Sequence, residues 1–221
     1  MTGQSTEKVL EGTKMGRRRS LETDKALPLI VRLFWRHGYD GLTLDQVAQE
    51  LGVTKPTLFR TFGDKEDLFA QALDAYYVEF IKPGEDRLDA APDLRSAVTA
   101  CFSTAIERIV DGDNPPGCFL TDTSLSGGFP SGPVAETLAR LQQPALVLLD
   151  AKIEAAIEGG EIDPATDPQA ILHYILAQLA AFSALSHSHP PDVMLRSIAG
   201  FMIEGLPWVK PADLSRGTSA I

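Results

Sequence analysis

GYDGLTLDQVAQELGVTKPTLFRTFGDKEDLF, residues 38–69, packs three helix starts and two tight turns into one short stretch. Thr43 stands just ahead of Leu44, Val47, Ala48 and Leu51, and Gln46 follows it by three residues, the pattern of a reciprocal capping box. Gly52 can take the left-handed conformation that ends a helix, after which Thr54 offers a second N-cap with Pro56 in the following first turn. The second helix, Lys55 to Phe62, turns Val53, Leu58 and Phe62 toward a core and leaves Thr54, Lys55, Thr57, Arg60 and Thr61 outside. Hydroxyls and cations interleaved on one short helix suit a groove of DNA, so the segment reads as a helix-turn-helix. Helices this short need tertiary support, expected from Leu33 and Phe34 before them and Leu68 and Phe69 after. Asp64 caps the next helix, where Lys65 and the free amide groups are placed to meet a phosphate.

Extended to LFWRHGYDGLTLDQVAQELGVTKPTLFRTFGDKEDLF, the stretch resembles the N-terminal DNA-binding domain of the TetR family of bacterial one-component repressors. The resemblance rests on the Phe34 to Gly38-Tyr39 end of the first helix, the VAxxLGV core and the FGxKxxLF start of the fourth helix. It implies an all-α homodimer: a three-helix DNA-binding domain and a larger, divergent α-helical domain that dimerises and holds an inducer, about nine helices altogether. Thr43, Thr54, Lys55, Thr57, Phe59, Arg60, Thr61 and Lys65 fall where family members contact bases or phosphates. Phe59 replaces the usual tyrosine, which removes a phenolic hydrogen bond to phosphate and leaves ring contact. Pro56 stiffens the entrance to the recognition helix, and Pro28 implies that the first helix begins near Asp24 or is kinked.

The charge distribution fits a two-part molecule. The net charge of −10 is uneven: residues 1–70 carry 11 Lys and Arg against 10 Asp and Glu, residues 71–221 carry 9 against 20, so the parts are +1 and −11. An acidic body keeps the wrong face off DNA, while local cations supply phosphate contacts. Arg17, Arg18 and Arg19 read either as an arm reaching a minor groove or phosphate strand, or as a solvated tail. Residues 1–20 lack the apolar segment of a secretory signal, and the expected location is the bacterial cytoplasm, in association with the nucleoid. The expected division is a basic arm at 1–19, a DNA-binding domain at 20–82, a ligand-binding and dimerisation domain at 83–208 and a tail at 209–221.

Beyond Phe69, helical patterns at about 65–81, 93–111, 117–125, 132–158, 167–186 and 191–206 are separated by Pro and Gly clusters, with a break at Lys82-Pro83-Gly84 and no strand alternation. Pro144 is expected to kink the long helix. The segment 170–186 is apolar on nearly all sides, yet it is short for a membrane span, holds His173 and Gln178 and lacks basic anchors, so a buried helix is expected. With the last helix it forms the expected dimer interface, through Ile171, Ile175, Leu179, Val193, Ile198, Phe201 and Met202, and two-fold symmetry predicts a palindromic operator.

Phe80, Phe102, Ile106, Phe119, Phe129, Tyr174 and Phe182 lie on the segments that enclose the inducer in similar proteins, and each can equally be a core residue. A hydrophobic or aromatic inducer is expected. Cys118 in PGCFL stands near a helix start, where the dipole favours a thiolate; thiol sensing and simple burial are both open for it. His187 and His189, at i, i+2 without a cysteine or acidic partner, read as a surface loop, and neither a metal nor a cofactor is expected. An enzyme is not expected: SLSGGFPSG has neither a nucleophile elbow nor a phosphate-binding loop, and no strand precedes it. A DNA-binding regulator with no small-molecule inducer is the other alternative.

Overall fold

The three helix starts within residues 43–65 each carry a side-chain cap. In the computed structural model, which describes residues 22–209, Thr43 accepts from the Gln46 amide while its own amide donates to Gln46 Oε1 at 2.8 Å. Thr54 Oγ1 accepts from the Thr57 amide, and Asp64 Oδ1 accepts from the amides of Glu66 and Asp67 at 2.9 Å each. A cap of this kind contributes about 1 kcal/mol. Between them, Gly52 at φ +64° lets the Val53 amide reach Ala48 O and the Gly52 amide reach Gln49 O, a Schellman close that turns the chain sharply into the next helix.

The head comprises α1 (Thr23–His37), α2 (Leu44–Glu50) and α3 (Lys55–Phe62), followed by α4 (Lys65–Tyr76). The body continues with α5 (Lys82–Ala90), α6 (Leu94–Val110), α7 (Phe119–Ser126), α8 (Pro133–Glu158), α9 (Pro168–Ser186) and α10 (Asp192–Glu204). The fold is all-helical, and among the described residues the only β pairing is an isolated bridge between Ile162 and Trp208. Arg17, Arg18 and Arg19 lie outside the described residues, as does most of the expected tail.

One expectation changes. The break at Lys82-Pro83-Gly84 does not occur: a π segment, Tyr77–Ile81, joins α4 directly to α5, and the Lys82 amide bonds back five residues to Tyr77 O. Pro83 lacks an N–H and would crowd the carbonyl four residues back, and the wider turn before it relieves both problems. Helix α5 is therefore an element the sequence pattern assigned to a break. Helix α1 begins at Thr23, beside Asp24 as Pro28 implied, and α8 includes Pro144 within one continuous helix.

The buried side chains form two cores. One core joins the head and α4 to Cys118, Phe119 and Leu120 of the α7 start and to Val134, Leu138 and Leu141 of early α8. The other joins α5, α6, late α8, α9 and α10 around Phe102, Ile153, Ile175, Phe182 and Leu195. Helix α4 thus belongs to the head's core while packing on α8 of the body.

Candidate DNA-reading surface and effector cavity

Helix α3 presents the polar face expected of it. Leu58 and Phe62 are buried, while Thr54, Lys55, Pro56, Phe59, Arg60 and Thr61 are exposed beside Thr43; Thr57 is half-buried. Phe59 leaves an unusually large apolar area in solvent, 56% of its maximum, which fits ring contact with a sugar or a thymine methyl. The other side chains are partly engaged. Lys55 Nζ lies 2.8 Å from Asp45 on α2, Thr54 Oγ1 is 2.9 Å from Thr57 Oγ1, and Thr61 Oγ1 donates back to Thr57 O. Lys65 sits 4.0 Å over the Tyr39 ring, a cation–π contact that holds its ammonium at the α4 start. Asp45 was not expected here, and Tyr39, which the motif at the end of the first helix includes, was not expected as a partner of Lys65.

Behind this surface, aromatic rings connect head to body. Tyr39 packs edge-on against Phe69 and Phe129 at 5.2 and 5.0 Å, Phe69 meets Phe119 at 5.1 Å, and Phe119 meets Tyr76 at 5.6 Å. Tyr76 stacks on Phe80 at 5.1 Å, and Trp35 lies across both. Tyr39, Phe69, Phe119 and Phe129 also wall a cleft of about 390 Å³ between α1 and α7.

Where Phe80 ends this series, a largely apolar cavity of about 150 Å³ opens between the two cores. Phe80 and Ile81 of the π segment line it, with Gly84, Glu85 and Leu88 of α5, Cys101, Thr104 and Arg108 of α6, and Leu176 and Leu179 of α9. Of the seven residues expected to meet an inducer, Phe80 alone lines this space. Phe102 and Phe182 pack on one another at 5.4 Å in the second core, with Ile106 buried beside them. Phe119 and Phe129 belong to the head–body junction, and Tyr174 donates its hydroxyl to Met202 O. All six are ordinary apolar or amphipathic side chains, and their periodicity gives no sign of which side of a helix adjoins a cavity.

The polar groups of the cavity come from distant parts of the chain. Cys118 is buried at the start of α7; its amide donates to Ser183 Oγ at 2.7 Å and to Asp122 Oδ2 at 3.1 Å, and Ser183 Oγ donates to Asp122 Oδ1. Tyr76 donates its hydroxyl to the sulfur at 3.4 Å. Burial pushes the Cys118 thiol up, but the Arg108 charge and hydrogen bonds from Thr121 and Tyr76 outweigh it and hold the group below its ordinary value. Cys101, by contrast, is pushed up to about 11 by burial. Glu85 is 7% exposed; burial raises its carboxyl, Tyr77 donates to Oε2, and Oε1 has no partner. Arg108 Nε is likewise buried without an acceptor.

The expected dimer surface separates into two groups. Val193 and Phe201 are exposed, at 72% and 77%, on one side of α10. Ile171 and Ile175 instead fill the subunit's own core, Ile198 and Met202 are half-buried against it, and Leu179 faces the cavity. Helix α9 is apolar on every side, so sequence pattern cannot say which face turns inward. Ala177 and Ala184 of α9 are exposed, as is Gly200 of α10, where an added Cβ would meet nothing within 4 Å.

Comparison with known proteins places this arrangement. The model of bacterial regulatory proteins of the tetR family matches residues 29–72, and that of the tetracyclin repressor-like C-terminal domain matches residues 94–197. The HTH-type transcriptional repressor ComR of Escherichia coli is 28% identical over 189 residues, covering 84% of this chain and 89% of ComR. The HTH-type regulator TcmR of Streptomyces glaucescens is 27% identical over 171 residues, 76% of this chain and 74% of TcmR. Among solved structures, a cysteine mutant of the regulator CifR bound to 26-bp operator DNA has a TM-score of 0.75 and 25% identity, covering 87% of this chain and all of that one.

Proposed function

The chain belongs to the TetR family of bacterial regulatory proteins, and from that premise we propose a one-component transcriptional repressor that binds a palindromic operator as a dimer and is released by a small effector. It is a DNA-binding regulator and not an enzyme. It works in the cytoplasm, and its operator binding implies association with the nucleoid.

The observation that carries the effector reading is the cavity's position. It touches the π segment that ends α4, and α4 also supplies Lys65 and Phe69 to the head. An effector that fits the cavity better in one spacing of the two reading heads shifts the dimer toward that spacing, by no more than its difference in affinity for the two states. The proposed DNA contacts are Thr43, Thr54, Lys55, Pro56, Thr57, Phe59, Arg60, Thr61 and Lys65, with Arg17, Arg18 and Arg19 as an N-terminal arm.

Mapping genomic binding sites tests this, with an expected enrichment of palindromes whose half-sites lie about one DNA turn, or ~34 Å, apart. On such an operator Arg60→Ala is expected to weaken binding and to lower the salt slope of log K by about 1, because one phosphate contact and its released counterion are lost. Fluorescence anisotropy across a salt series reads both. A genome with no enriched palindrome, or an operator never released by any small molecule, argues against a ligand-controlled repressor.

Cys118 supports a second reading, in which the cavity senses thiol-reactive compounds. A small alkylating reagent at neutral pH is expected to modify Cys118 before Cys101 and to release the operator, whereas Cys118→Ser binds the operator and ignores the reagent. Mass spectrometry of the treated protein, with anisotropy alongside, measures this. Equal labelling of both thiols, or release of the Ser variant, would remove the reading.

A further inference from the structure

Glu85 and Arg108 are a costly pair of side chains to leave facing an apolar space. Glu85 is 7% exposed and its Oε1 has no hydrogen-bond partner, although Oε2 is taken by Tyr77. Arg108 leaves its buried Nε–H without an acceptor, and among the described residues it makes no ion pair. The two do not satisfy one another, yet both line the cavity of about 150 Å³. Buried polar groups are normally paired, because leaving one unpaired forfeits its hydration without compensation. Such orphans point to a ligand that completes them.

The remaining walls define the rest of that ligand. Phe80, Ile81, Leu88, Ala105, Leu149, Leu176 and the other apolar groups offer no further charge, and a space of this volume holds about one benzene-sized ring. We propose that the effector is a small hydroxylated aromatic carboxylate: its carboxylate accepts from Arg108, its hydroxyl donates to Glu85 Oε1, and its ring fills the apolar part of the cavity. The acid and the base stand on adjacent helices, α5 and α6, and α5 follows directly from the π segment that ends α4. Pairing both groups would therefore draw together the elements nearest to the head's coupling helix. The assignment rests on the effector-controlled reading above and adds the chemical class of the effector.

The test uses the full chain with 2-, 3- and 4-hydroxybenzoate, benzoate, phenol and toluene as probes, read by thermal shift and by release of a labelled operator. At least one hydroxybenzoate isomer is expected to raise the melting temperature and release DNA, with benzoate and phenol weaker and toluene weakest. Arg108→Gln is expected to weaken the best acid about 10- to 100-fold and to leave phenol essentially unchanged, while Glu85→Gln weakens the hydroxybenzoate more than benzoate. Arg108→Lys, which keeps the charge, should recover part of the acid's affinity, and thermal melts without ligand identify any variant that has failed to fold. Phenol or toluene binding as tightly as the best acid, an unchanged acid affinity in a folded Arg108→Gln protein, or no response to any isomer would overturn the assignment. In the last case, intact operator binding leaves the repressor reading standing, whereas loss of operator binding by the unmodified protein counts against that reading instead.

Discussion

Phe201→Asp is expected to convert the dimer to monomers and to weaken operator binding by about 100-fold or more, since two reading heads joined in one molecule gain that much over one. Phe201 is 77% exposed in the single subunit, next to exposed Val193 and Gly200 on the same side of α10. A phenylalanine left this open covers little within its own subunit, so its loss hardly affects the subunit's fold. Across a two-fold axis, however, an aspartate there meets its own copy or an apolar surface, and a buried charge without a partner is strongly unfavourable. Gly200→Leu provides an independent check. The added side chain enters open space in the single subunit, where a Cβ meets nothing within 4 Å, but it obstructs the close approach of a partner helix. Sedimentation velocity and an operator titration measure both variants; a dimer of unchanged stability in both would place the interface elsewhere.

The second large effect is expected from Phe69→Ala, which should lower the stability of the protein by about 3–5 kcal/mol. Phe69 is 1% exposed on α4, and four rings surround it: Phe34 at 4.9 Å, Tyr39 at 5.2 Å, Phe119 at 5.1 Å and Phe129 at 5.6 Å. Two of these belong to the head and two to the body. Truncation therefore opens a cavity and also removes the contact through which head and body share a core. Against a total stability of roughly 5–15 kcal/mol, this is a large fraction. Urea denaturation measures the loss, and a change below about 1 kcal/mol would show that neighbouring rings close over the gap. Phe69→Leu should retain the fold and operator binding while blunting release by effector, since it preserves burial but loses the edge-to-face contacts. Full effector response in that variant would locate the coupling in other contacts of α4.

The reading head could be anticipated because its determinants are local. Thr43 with Gln46, Gly52, Thr54 with Thr57, and Asp64 with Asp67 each act within five residues, so the side chains that set a helix end are neighbours in the chain. The exposed face of α3 follows from the same short-range order, as Leu58 and Phe62 must turn inward. Proline gave a less dependable signal. Pro83 marked a break that a π turn removes, whereas Pro28 follows shortly after the α1 start that it implied.

The cavity and the dimer surface arise differently. Glu85, Arg108 and Cys118 come together from three helical segments, and nothing near any of them in the chain indicates the others. Phe102, Phe119, Tyr174 and Phe182 are chemically suitable for a pocket, yet packing assigns them to cores and junctions. The uniformly apolar α9 divides its faces between the subunit core, the cavity and the outer surface without any change in pattern. By itself, then, the sequence determined the all-helical class, the family and the groove-reading helix, because capping, turn chemistry and short-range periodicity are local. Only the tertiary structure decided where the cavity lies, which polar groups it leaves unpaired and which apolar side chains remain exposed, because burial depends on what the rest of the chain brings alongside.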